Sequence, residues 1–500
     1  MMSFARLKIS AGTRRRSFLR GLGLLALVGA STWGGLTGLR ARPPNIIFIL
    51  ADDLGYTDVA AFGSKYYETP HIDRLAAQGM RFTNHHHCQN CTPTRAALMS
   101  GQYGARTGVY TVGSVERFDW RKRPLRPVEN VTSLPLDRVL LPQTLQTAGY
   151  ATAMFGKWHI GQQGAYLPGQ RGFGEAIVSM GAHYDFNTNP KTEYPQGQYL
   201  ADFLTDRAVD FIRRKKAEPF FLYLPHFGVH SPHEAKPELI ARFKGKPGVG
   251  GHKNATYAAM IASVDESVGR VTALLEELKI AEQTVVIFAS DNGGVGGYAR
   301  EGIIKNAGDI TDNVPLRSGK GSLYEGGTRV PLIVRWPGQV EAGSTCAVPT
   351  IHVDIYPTLA AIAGATMPAG QIADGESLVP LLRERGGQLA REAIFQHFPG
   401  YLGVGVDQWR TTPVSLVQMG DWKLLEFLED GRLELYNLRT DLGETKNLAA
   451  ALPERAQSMY ARLVAWRAAT QAAMPQKNVP AEGAESGTKK GKGKRKAAKE

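Results

Sequence analysis

Asn45–Asp53, with the sequence NIIFILADD, is the stretch from which the fold of this chain is predicted. Positions 46–51 are all apolar, a Pro-Pro pair precedes the stretch, and two aspartates end it. Apolar runs of this length are typical of strands buried on both faces of a parallel sheet. Ligands of such sheets bind beyond the carboxyl ends of the strands, so Asp52 and Asp53 are candidate site residues.

Strand-length runs and helical patterns alternate after this stretch. Comparable apolar runs lie at residues 151–155, 219–224, 284–289 and 331–334. Helical periodicity marks 199–213 and 257–278 between them. This alternation predicts an α/β fold with a mixed, largely parallel sheet flanked by helices. The run at 284–289 is followed by a second polar pair, Asp291 and Asn292, which we expect near the first pair.

The pattern changes beyond about residue 375. Short alternating segments at 414–418, 422–428 and 432–438 predict a small antiparallel sheet, and 453–473 predicts a helix packed on it. We therefore divide the chain into four regions: a signal peptide (1–42), a catalytic domain (43–375), a smaller C-terminal domain (376–475) and a disordered basic tail (476–500).

The net charge of +13 lies at the two ends of the chain. Residues 1–42 contribute +8 and residues 477–500 contribute +5, which leaves the segment between them formally neutral. We therefore expect no nucleic-acid partner. Arg14–Arg20, RRRSFLR, precedes a weakly apolar stretch and resembles a twin-arginine export signal, although a basic flank of a membrane helix has a similar composition. We predict a periplasmic or extracellular protein with no stable membrane span in its mature form.

Cys91–Arg95, CTPTR, followed by Ser100-Gly101, matches the pattern C-x-P-x-R with a small residue and glycine behind it. Four further segments accompany it in a recognisable order: 45–58 (NIIFILADDLGYTD), 156–161 (GKWHIG), 290–294 (SDNGG) and 316–331 (LRSGKGSLYEGGTRVP), with 434–448 (ELYNLRTDLGETKNL) near the C-terminus. On these motifs the chain resembles the type I sulfatases of the alkaline-phosphatase-like superfamily, from about Pro44 to Leu448.

The resemblance implies a sulfuric ester hydrolase whose Cys91 is oxidised to formylglycine by a formylglycine-generating enzyme. The hydrated aldehyde offers one hydroxyl to attack sulfur, and loss of the proton of the second hydroxyl expels sulfate. Asp52, Asp53, Asp291 and Asn292 would bind a divalent cation together with residue 91. Their oxygen ligands suit Ca²⁺, with Mg²⁺ the weaker alternative.

The other implied site residues are basic. Arg95 would steady residue 91, whereas Lys157, His159, His230 and Lys320 would bind sulfate and assist the leaving group. His230 and Lys320 remain alternatives as the proton donor to the leaving alkoxide. Asp291 is a candidate for deprotonating the attacking hydroxyl.

Three other interpretations compete with this one. The first is a phosphate or phosphonate ester hydrolase of the same superfamily, and the second is a non-catalytic exported protein that binds polyanions through its tail. The third assigns His85-His86-His87-Cys88 and Cys91 to a zinc or redox Cys-x-x-Cys site. Three consecutive histidines cannot all face one way on a regular element, which argues against the zinc site; one or two of them could instead line the substrate pocket.

Substrate specificity is assigned to two loops, 102–138 and 165–198. Their aromatic and imidazole side chains suit stacking on sugar rings, although they could equally pack the loops themselves. On this basis we predict a sulfated carbohydrate rather than a small aryl sulfate as substrate. The side chains concerned are Tyr103, Tyr110, Trp120, His183 and Tyr184.

Overall fold

The computed structural model describes residues 42–303, 309–405 and 408–478. The predicted export signal and nearly all of the predicted basic tail lie outside these residues. Gln476 and Lys477 were assigned to the tail, but they form a short strand that pairs with Leu125 and Arg126.

The described strands are, in chain order, β1 (Asn45–Ala51), β2 (Met80–Phe82), β3 (His85–His86), β4 (Leu125–Arg126), β5 (Ala151–Gly156), β6 (Glu175–Val178), β7 (Phe220–Pro225), β8 (Thr284–Ser290), β9 (Leu332–Arg335), β10 (Ser344–Cys346), β11 (Thr350–Ile351), β12 (Ile394–Phe398), β13 (Leu402–Gly405), β14 (Gln408–Thr411), β15 (Val414–Met419), β16 (Trp422–Phe427), β17 (Arg432–Asn437) and β18 (Gln476–Lys477).

The described α-helices are α1 (Pro70–Gln78), α2 (Cys91–Ser100), α3 (Gly104–Thr107), α4 (Leu141–Thr147), α5 (Leu200–Lys215), α6 (Pro237–Phe243), α7 (Ala255–Glu277), α8 (Glu325–Thr328), α9 (Ile355–Ala363), α10 (Val379–Arg383) and α11 (Pro453–Thr470). None of these described helices is both long enough and apolar enough to cross a membrane.

Eight strands form the large sheet, in the order β10-β2-β9-β8-β1-β7-β5-β6. The central strands β8, β1, β7 and β5 run parallel, whereas β9 runs antiparallel to both of its neighbours. The predicted α/β class is confirmed. Because the four parallel strands point the same way, the segments that follow them meet at one edge of the sheet.

Strand β1 is buried on both faces, as its apolar run predicts. Ile47 and Ile49 belong to a core that includes α5 and α7, whereas Ile46 and Phe48 belong to the core on the other face, with α4 and α9. Alternate residues of a strand point to opposite faces, so a continuous apolar run is what a sheet covered on both sides requires.

The C-terminal part contains the predicted antiparallel sheet, in the order β12-β15-β16-β17, with α11 against it. Strand β12 was not predicted from the sequence. The proposed boundary near residue 375 stays a prediction. Strands β13 and β14 form a separate hairpin, which approaches the turn at Lys320 and Gly321.

Candidate active site

Four polar residues meet at the carboxyl edge of the large sheet. Asp52 and Asp53 follow β1, and Asp291 and Asn292 follow its neighbour β8, where the ladder ends at the pair Ala51 and Ser290. The backbone N–H of Asp53 donates to Asp291 Oδ1 at 3.1 Å, and Asn292 Nδ2 donates to Asp53 Oδ1 at 2.9 Å. All four residues are buried. The structure thus brings together the two polar pairs that the sequence separates by more than two hundred positions.

Cys91 lies beside these oxygens as the first residue of α2, with Asn90 at the N-cap. It is a free cysteine with 2% of its surface exposed. Its Sγ and one carboxylate oxygen each from Asp52 and Asp291 lie within 4.8 Å of one another. The N-terminus of a helix favours negative charge, so the fold places residue 91 where an anionic oxygen would be stabilised.

Lys157 and Lys320 are paired with the aspartates. Lys157, directly after β5, places Nζ 2.5 Å from Asp52 Oδ2. Lys320 places Nζ 2.7 Å from the Asp53 carboxylate. Both lysines are buried, so the charges are held in a medium in which unpaired charge is costly. Each lysine binds one aspartate and borders the space next to Cys91.

Arg95, in the first turn of α2, is bound to Asp291 and to the backbone of Lys157. Its Nε and Nη2 donate to Asp291 Oδ2 at 3.0 and 2.7 Å, and its Nη1 donates to the carbonyl of Lys157 at 2.7 Å. Its fork of donors fixes Asp291 and the Lys157 backbone, because the first turn of α2 directs it into the sheet edge. A role of Arg95 in steadying residue 91 stays a prediction.

The pKa values in the cluster show how unevenly the charge is shared. Burial and the neighbouring charge of Asp52 together raise the pKa of Asp291 to about 7, although Arg95 and Lys157 oppose them. Burial also raises the pKa of Asp52, but Lys157, His230, Arg95 and Lys320 outweigh it and hold that pKa well below its usual range. Burial raises the pKa of the Cys91 thiol as well, which is the opposite of what a thiolate nucleophile needs.

The residues fit a hard divalent cation. Asp52 Oδ1 and Asn292 Oδ1 are buried and have no hydrogen-bond partner in the part of the chain that the structure describes. Unpaired buried acceptors are rare because leaving them so costs free energy. Carboxylate and amide oxygens are the ligands that Ca²⁺ and Mg²⁺ prefer.

Two histidines border the cluster on its open side. His230 Nδ1 donates to the Ser231 carbonyl at 2.7 Å, and its Nε2 lies 3.7 Å from Asp53 Oδ2. A carbonyl can only accept, so the Nδ1 proton is fixed and Nε2 is the nitrogen that faces the site. His183 Nε2 contacts the His230 carbonyl at 2.8 Å and supports this loop.

His159 lies two residues after Lys157 and has a φ of +62°. Its Nδ1 is buried and has no partner among the described residues. Burial and the charges of Lys157 and Arg95 hold its pKa well below the usual value, so the ring is neutral. A neutral imidazole at this place can donate or accept one hydrogen bond at each nitrogen.

The histidine run before Cys91 forms no comparable site. His85 binds Thr350 Oγ1 at 2.8 Å, His86 binds Glu325 at 3.2 Å, and all three histidines are buried. Among the described residues, the groups close enough to share an ion are Asp52, Cys91 and Asp291, and Asp52, Asp53 and His230. The zinc interpretation therefore finds no support, and the three rings do not line an open pocket.

Two of the aromatic residues predicted to stack on sugars are buried inside the protein. Tyr103 is buried against Trp466 of α11, with ring centroids 5.3 Å apart, and Tyr110 is buried in the core of the C-terminal sheet. The prediction that these two contact substrate is wrong, because they fill the contact between the two sheets' cores. Trp120 and Tyr184 are partly exposed.

A second buried charge cluster was missed from the sequence. Glu325 accepts from Lys423 Nζ at 2.8 Å and from Arg329 Nε at 2.6 Å, and Lys423 Nζ also lies 2.9 Å from Glu444 Oε1. The cluster ties β16 to the turn of α8, whose Gly327 carbonyl accepts from the N–H of Gly293 at 3.0 Å. Glu325, within the Gly-rich segment 316–331, was the feature of the sequence from which a buried charge could have been predicted.

Comparisons with known proteins agree with this geometry. The sequence model of the sulfatase family matches residues 44–365, and that of the C-terminal part of N-sulphoglucosamine sulphohydrolase matches 319–467. A sulfatase of Formosa agariphila is 37% identical, and the match covers 85% of this chain and 89% of that protein. Human N-acetylgalactosamine-6-sulfatase is 33% identical, covering 71% of this chain and 68% of that protein.

A solved structure extends the likeness to the fold. The crystal structure of Ps i-CgsB in complex with k-i-k-neocarrahexaose is 29% identical and superposes with a TM-score of 0.70, covering 85% of this chain and 93% of the other. Both halves of the chain thus match known sulfatases in sequence, and most of its length matches one in structure. The chain belongs to the sulfatase family of the alkaline-phosphatase-like superfamily and is an enzyme of the sulfuric ester hydrolase class.

Proposed function

We propose that this sulfatase hydrolyses sulfate monoesters of sulfated carbohydrates, with Cys91 converted to formylglycine and one Ca²⁺ bound beside it. The observation that carries the proposal is the position of Cys91, at the start of a buried helix, against an oxygen cluster that two lysines flank. The similarity to N-acetylgalactosamine-6-sulfatase, and to a structure in complex with k-i-k-neocarrahexaose, supports a saccharide substrate.

Asp52, Asp53, Asp291 and Asn292 would hold the cation. Three carboxylates and one amide oxygen suit Ca²⁺ better than Mg²⁺, which usually binds one or two carboxylates and keeps several waters. When bound, the ion supplies positive charge to a sulfate oxygen and to the oxygen of residue 91. Arg95 keeps Asp291 in position throughout, because its Nε and Nη2 are already bound to that carboxylate.

The chain's own cations provide the rest of the sulfate site. Lys157 and Lys320 face the space beside Cys91 and would bind the non-bridging sulfate oxygens. His159 is neutral, so it would contribute a hydrogen bond rather than a charge. As the formylglycine hydrate, residue 91 would present a hydroxyl to sulfur, and Asp291, one of the two carboxylates within 4.8 Å of Cys91 Sγ, would take its proton.

We assign the proton donor to His230 rather than to Lys320. The ring of His230 is 27% exposed on the open side of the cluster, where the leaving sugar must depart, and its Nε2 faces that site. Lys320 Nζ is instead bound to Asp53. His230→Ala is expected to lower kcat on a sulfated sugar by on the order of 10² to 10³-fold, because a sugar alkoxide needs a proton.

The same variant should lose less than about tenfold on 4-nitrophenyl sulfate, whose leaving group needs no proton. Lys320→Ala is the matched control, since loss of a sulfate contact lowers kcat/KM on both substrates alike. Steady-state kinetics of the two variants on the two substrates measure this. If Lys320→Ala shows the leaving-group dependence and His230→Ala does not, the assignment is reversed.

One preparation from the native host tests the function as a whole. The tryptic peptide of residues 82–95 should be lighter than the cysteine form by about 18 Da, the difference between a thiol and an aldehyde side chain. Elemental analysis should find about one calcium per chain, and sulfated saccharides should release sulfate. Active protein with an unmodified Cys91, or phosphate esters cleaved faster than sulfate esters, would refute the proposal.

We further propose export of the protein by the twin-arginine machinery, after formylglycine formation in the cytoplasm. Residues 14–20 support this on sequence grounds alone, since they lie outside the described structure. Fractionation of the native host checks the location: the enzyme should leave the cytoplasm, and replacing Arg15 and Arg16 by lysine should retain it there.

A further inference from the structure

The hairpin β13–β14 lies directly on the turn that carries Lys320. Gly321, with a φ of +96°, leaves no room between them: a Cβ at this position would lie 2.3 Å from Leu402 Cδ2 and 3.0 Å from Arg410 Cδ. The N–H of Gly321 donates to the Gln89 carbonyl at 2.7 Å, two residues before Cys91. A segment of the C-terminal part is thereby held next to the catalytic segment.

Arg410 of β14 is the charged residue that this hairpin brings to the site. Its Nη1 lies 3.5 Å from the Lys320 carbonyl, and its guanidinium carbon lies 4.9 Å from the ring centre of the buried Tyr298. Its Nε is shielded from solvent without a hydrogen-bond partner in the described part of the chain. Leaving a buried donor unpaired costs free energy, and a ligand that accepts a hydrogen bond from it would remove this cost.

The neighbouring arginines differ from Arg410 in having carboxylate partners. Arg300 pairs with Asp312 at 3.2 Å, and Arg317 lies 3.8 Å from Glu434. No carboxylate of the residues that the structure describes lies within 4.0 Å of the Arg410 guanidinium. A planar cation stacked on an aromatic ring, with donors left over, is suited to binding sulfate or carboxylate.

Arg410 is also held in place by its own strand. Trp409, the residue before it, contacts Tyr401 and Phe118 with ring centroids 5.3 and 6.2 Å apart. The guanidinium of Arg123 lies over both Tyr401 and Trp409 and is bound to Glu429. These contacts anchor the hairpin before any ligand arrives, which reduces the entropy that binding would cost.

The position of Arg410 separates it from the sulfate that is cleaved. Lys320 points its Nζ toward Asp53 and its carbonyl toward Arg410. The Lys320 ammonium group and the Arg410 guanidinium therefore lie on opposite sides of Lys320. We propose that Arg410 forms a second anion-binding subsite, which takes a sulfate or carboxylate group of the saccharide other than the ester undergoing hydrolysis. This inference rests on the proposed function and makes a multiply charged saccharide the preferred substrate.

The full-length enzyme and its Arg410→Gln variant test the subsite by competition against 4-nitrophenyl sulfate turnover. The competitors are N-acetylgalactosamine 6-sulfate, its 4,6-disulfate, and the 6-sulfate linked to glucuronate. We expect the wild-type enzyme to bind one of the doubly charged sugars at least about tenfold more tightly than the 6-sulfate, in keeping with hydrogen bonds to a charged group. The sugar that shows this gain identifies the second anion as sulfate or carboxylate.

In Arg410→Gln the doubly charged sugar should bind no more than about twofold more tightly than the 6-sulfate. Binding of the 6-sulfate and turnover of 4-nitrophenyl sulfate should stay unchanged. Arg462→Gln, which alters an exposed arginine of α11 paired with Glu392, is the charge-matched control and should keep the full gain. Equal weakening for all three sugars, or no gain in the wild-type enzyme, would overturn the subsite. Absence of any sulfate release by the wild-type enzyme would instead overturn the proposed function, and the subsite with it.

Discussion

Replacing Cys91 by alanine is expected to reduce sulfate release by at least about 10⁴-fold. The residue is the start of α2, and its Sγ lies within 4.8 Å of carboxylate oxygens of Asp52 and Asp291, two of the proposed cation ligands. Alanine lacks the thiol that would be converted to the aldehyde, so the attacking hydroxyl cannot form. Cys91→Ser should be nearly as inactive over many turnovers, because a sulfated serine lacks the second hydroxyl that expels sulfate from a diol.

Cys88→Ala is the matched control for this prediction. Cys88 is also a buried free cysteine, three residues earlier, but its Sγ lies 3.5 Å from His352 Nε2 and outside the ligand cluster. We expect it to keep activity within a few fold of the wild-type enzyme. Turnover assays of the three variants, with unfolding curves to confirm that each is folded, decide the matter. Comparable losses in Cys88→Ala and Cys91→Ala would contradict the assigned role of Cys91.

Replacing Lys423 by methionine is expected to lower the free energy of unfolding by about 3–5 kcal/mol. Lys423 is the shared partner of Glu325 and Glu444, and all three residues are buried. Without the ammonium group, the two carboxylates must keep their charges in a low-dielectric interior or take up protons. Urea unfolding followed by circular dichroism measures the loss, with Lys446→Met, an exposed lysine nearby, expected to change stability by less than about 0.5 kcal/mol.

The loss in Lys423→Met should grow with pH. Burial and the charge of Glu325 already raise the pKa of Glu444 to about 7 in the folded protein, although Lys423 opposes them. A carboxyl whose pKa is higher in the folded than in the unfolded state destabilises the fold as pH rises from the unfolded value toward the folded one. Removing Lys423 raises the folded pKa further, so the variant should be less stable at pH 8 than at pH 6. A loss that is equal at both pH values would contradict this explanation.

This cluster gives the C-terminal sheet a second connection to the catalytic edge. Glu325 holds the start of α8, and the following Gly327 binds Gly293, the residue after Asn292. A Cβ at Gly293 would lie 1.8 Å from the Gly326 carbonyl, so the two turns are in direct contact. The C-terminal part therefore supports the proposed cation ligands from behind, while the hairpin with Arg410 borders the proposed substrate side.

The amino-acid sequence by itself determined the central strands and the two polar pairs that follow β1 and β8. Ile46–Leu50 and the other long apolar runs predicted β1, β5, β7, β8 and β9, because a strand covered on both faces needs continuous apolar residues. The polar pairs after β1 and β8 then had to meet at one edge of the sheet. The short strands β2, β6, β10 and β12 escaped prediction, since their three to five residues form no continuous apolar run and are too few to show periodicity.

Only the tertiary structure decided which side chains contact one another. It joined Arg95 to Asp291, buried Tyr103 and Tyr110 instead of exposing them, paired Lys423 with Glu325 across 98 positions, and brought Arg410 to Lys320. Local patterns specify burial and secondary structure, because these depend on neighbouring residues. Charge pairs and loop contacts depend on where distant segments meet, and that is set by the packing of the two sheets' cores rather than by any feature within either segment.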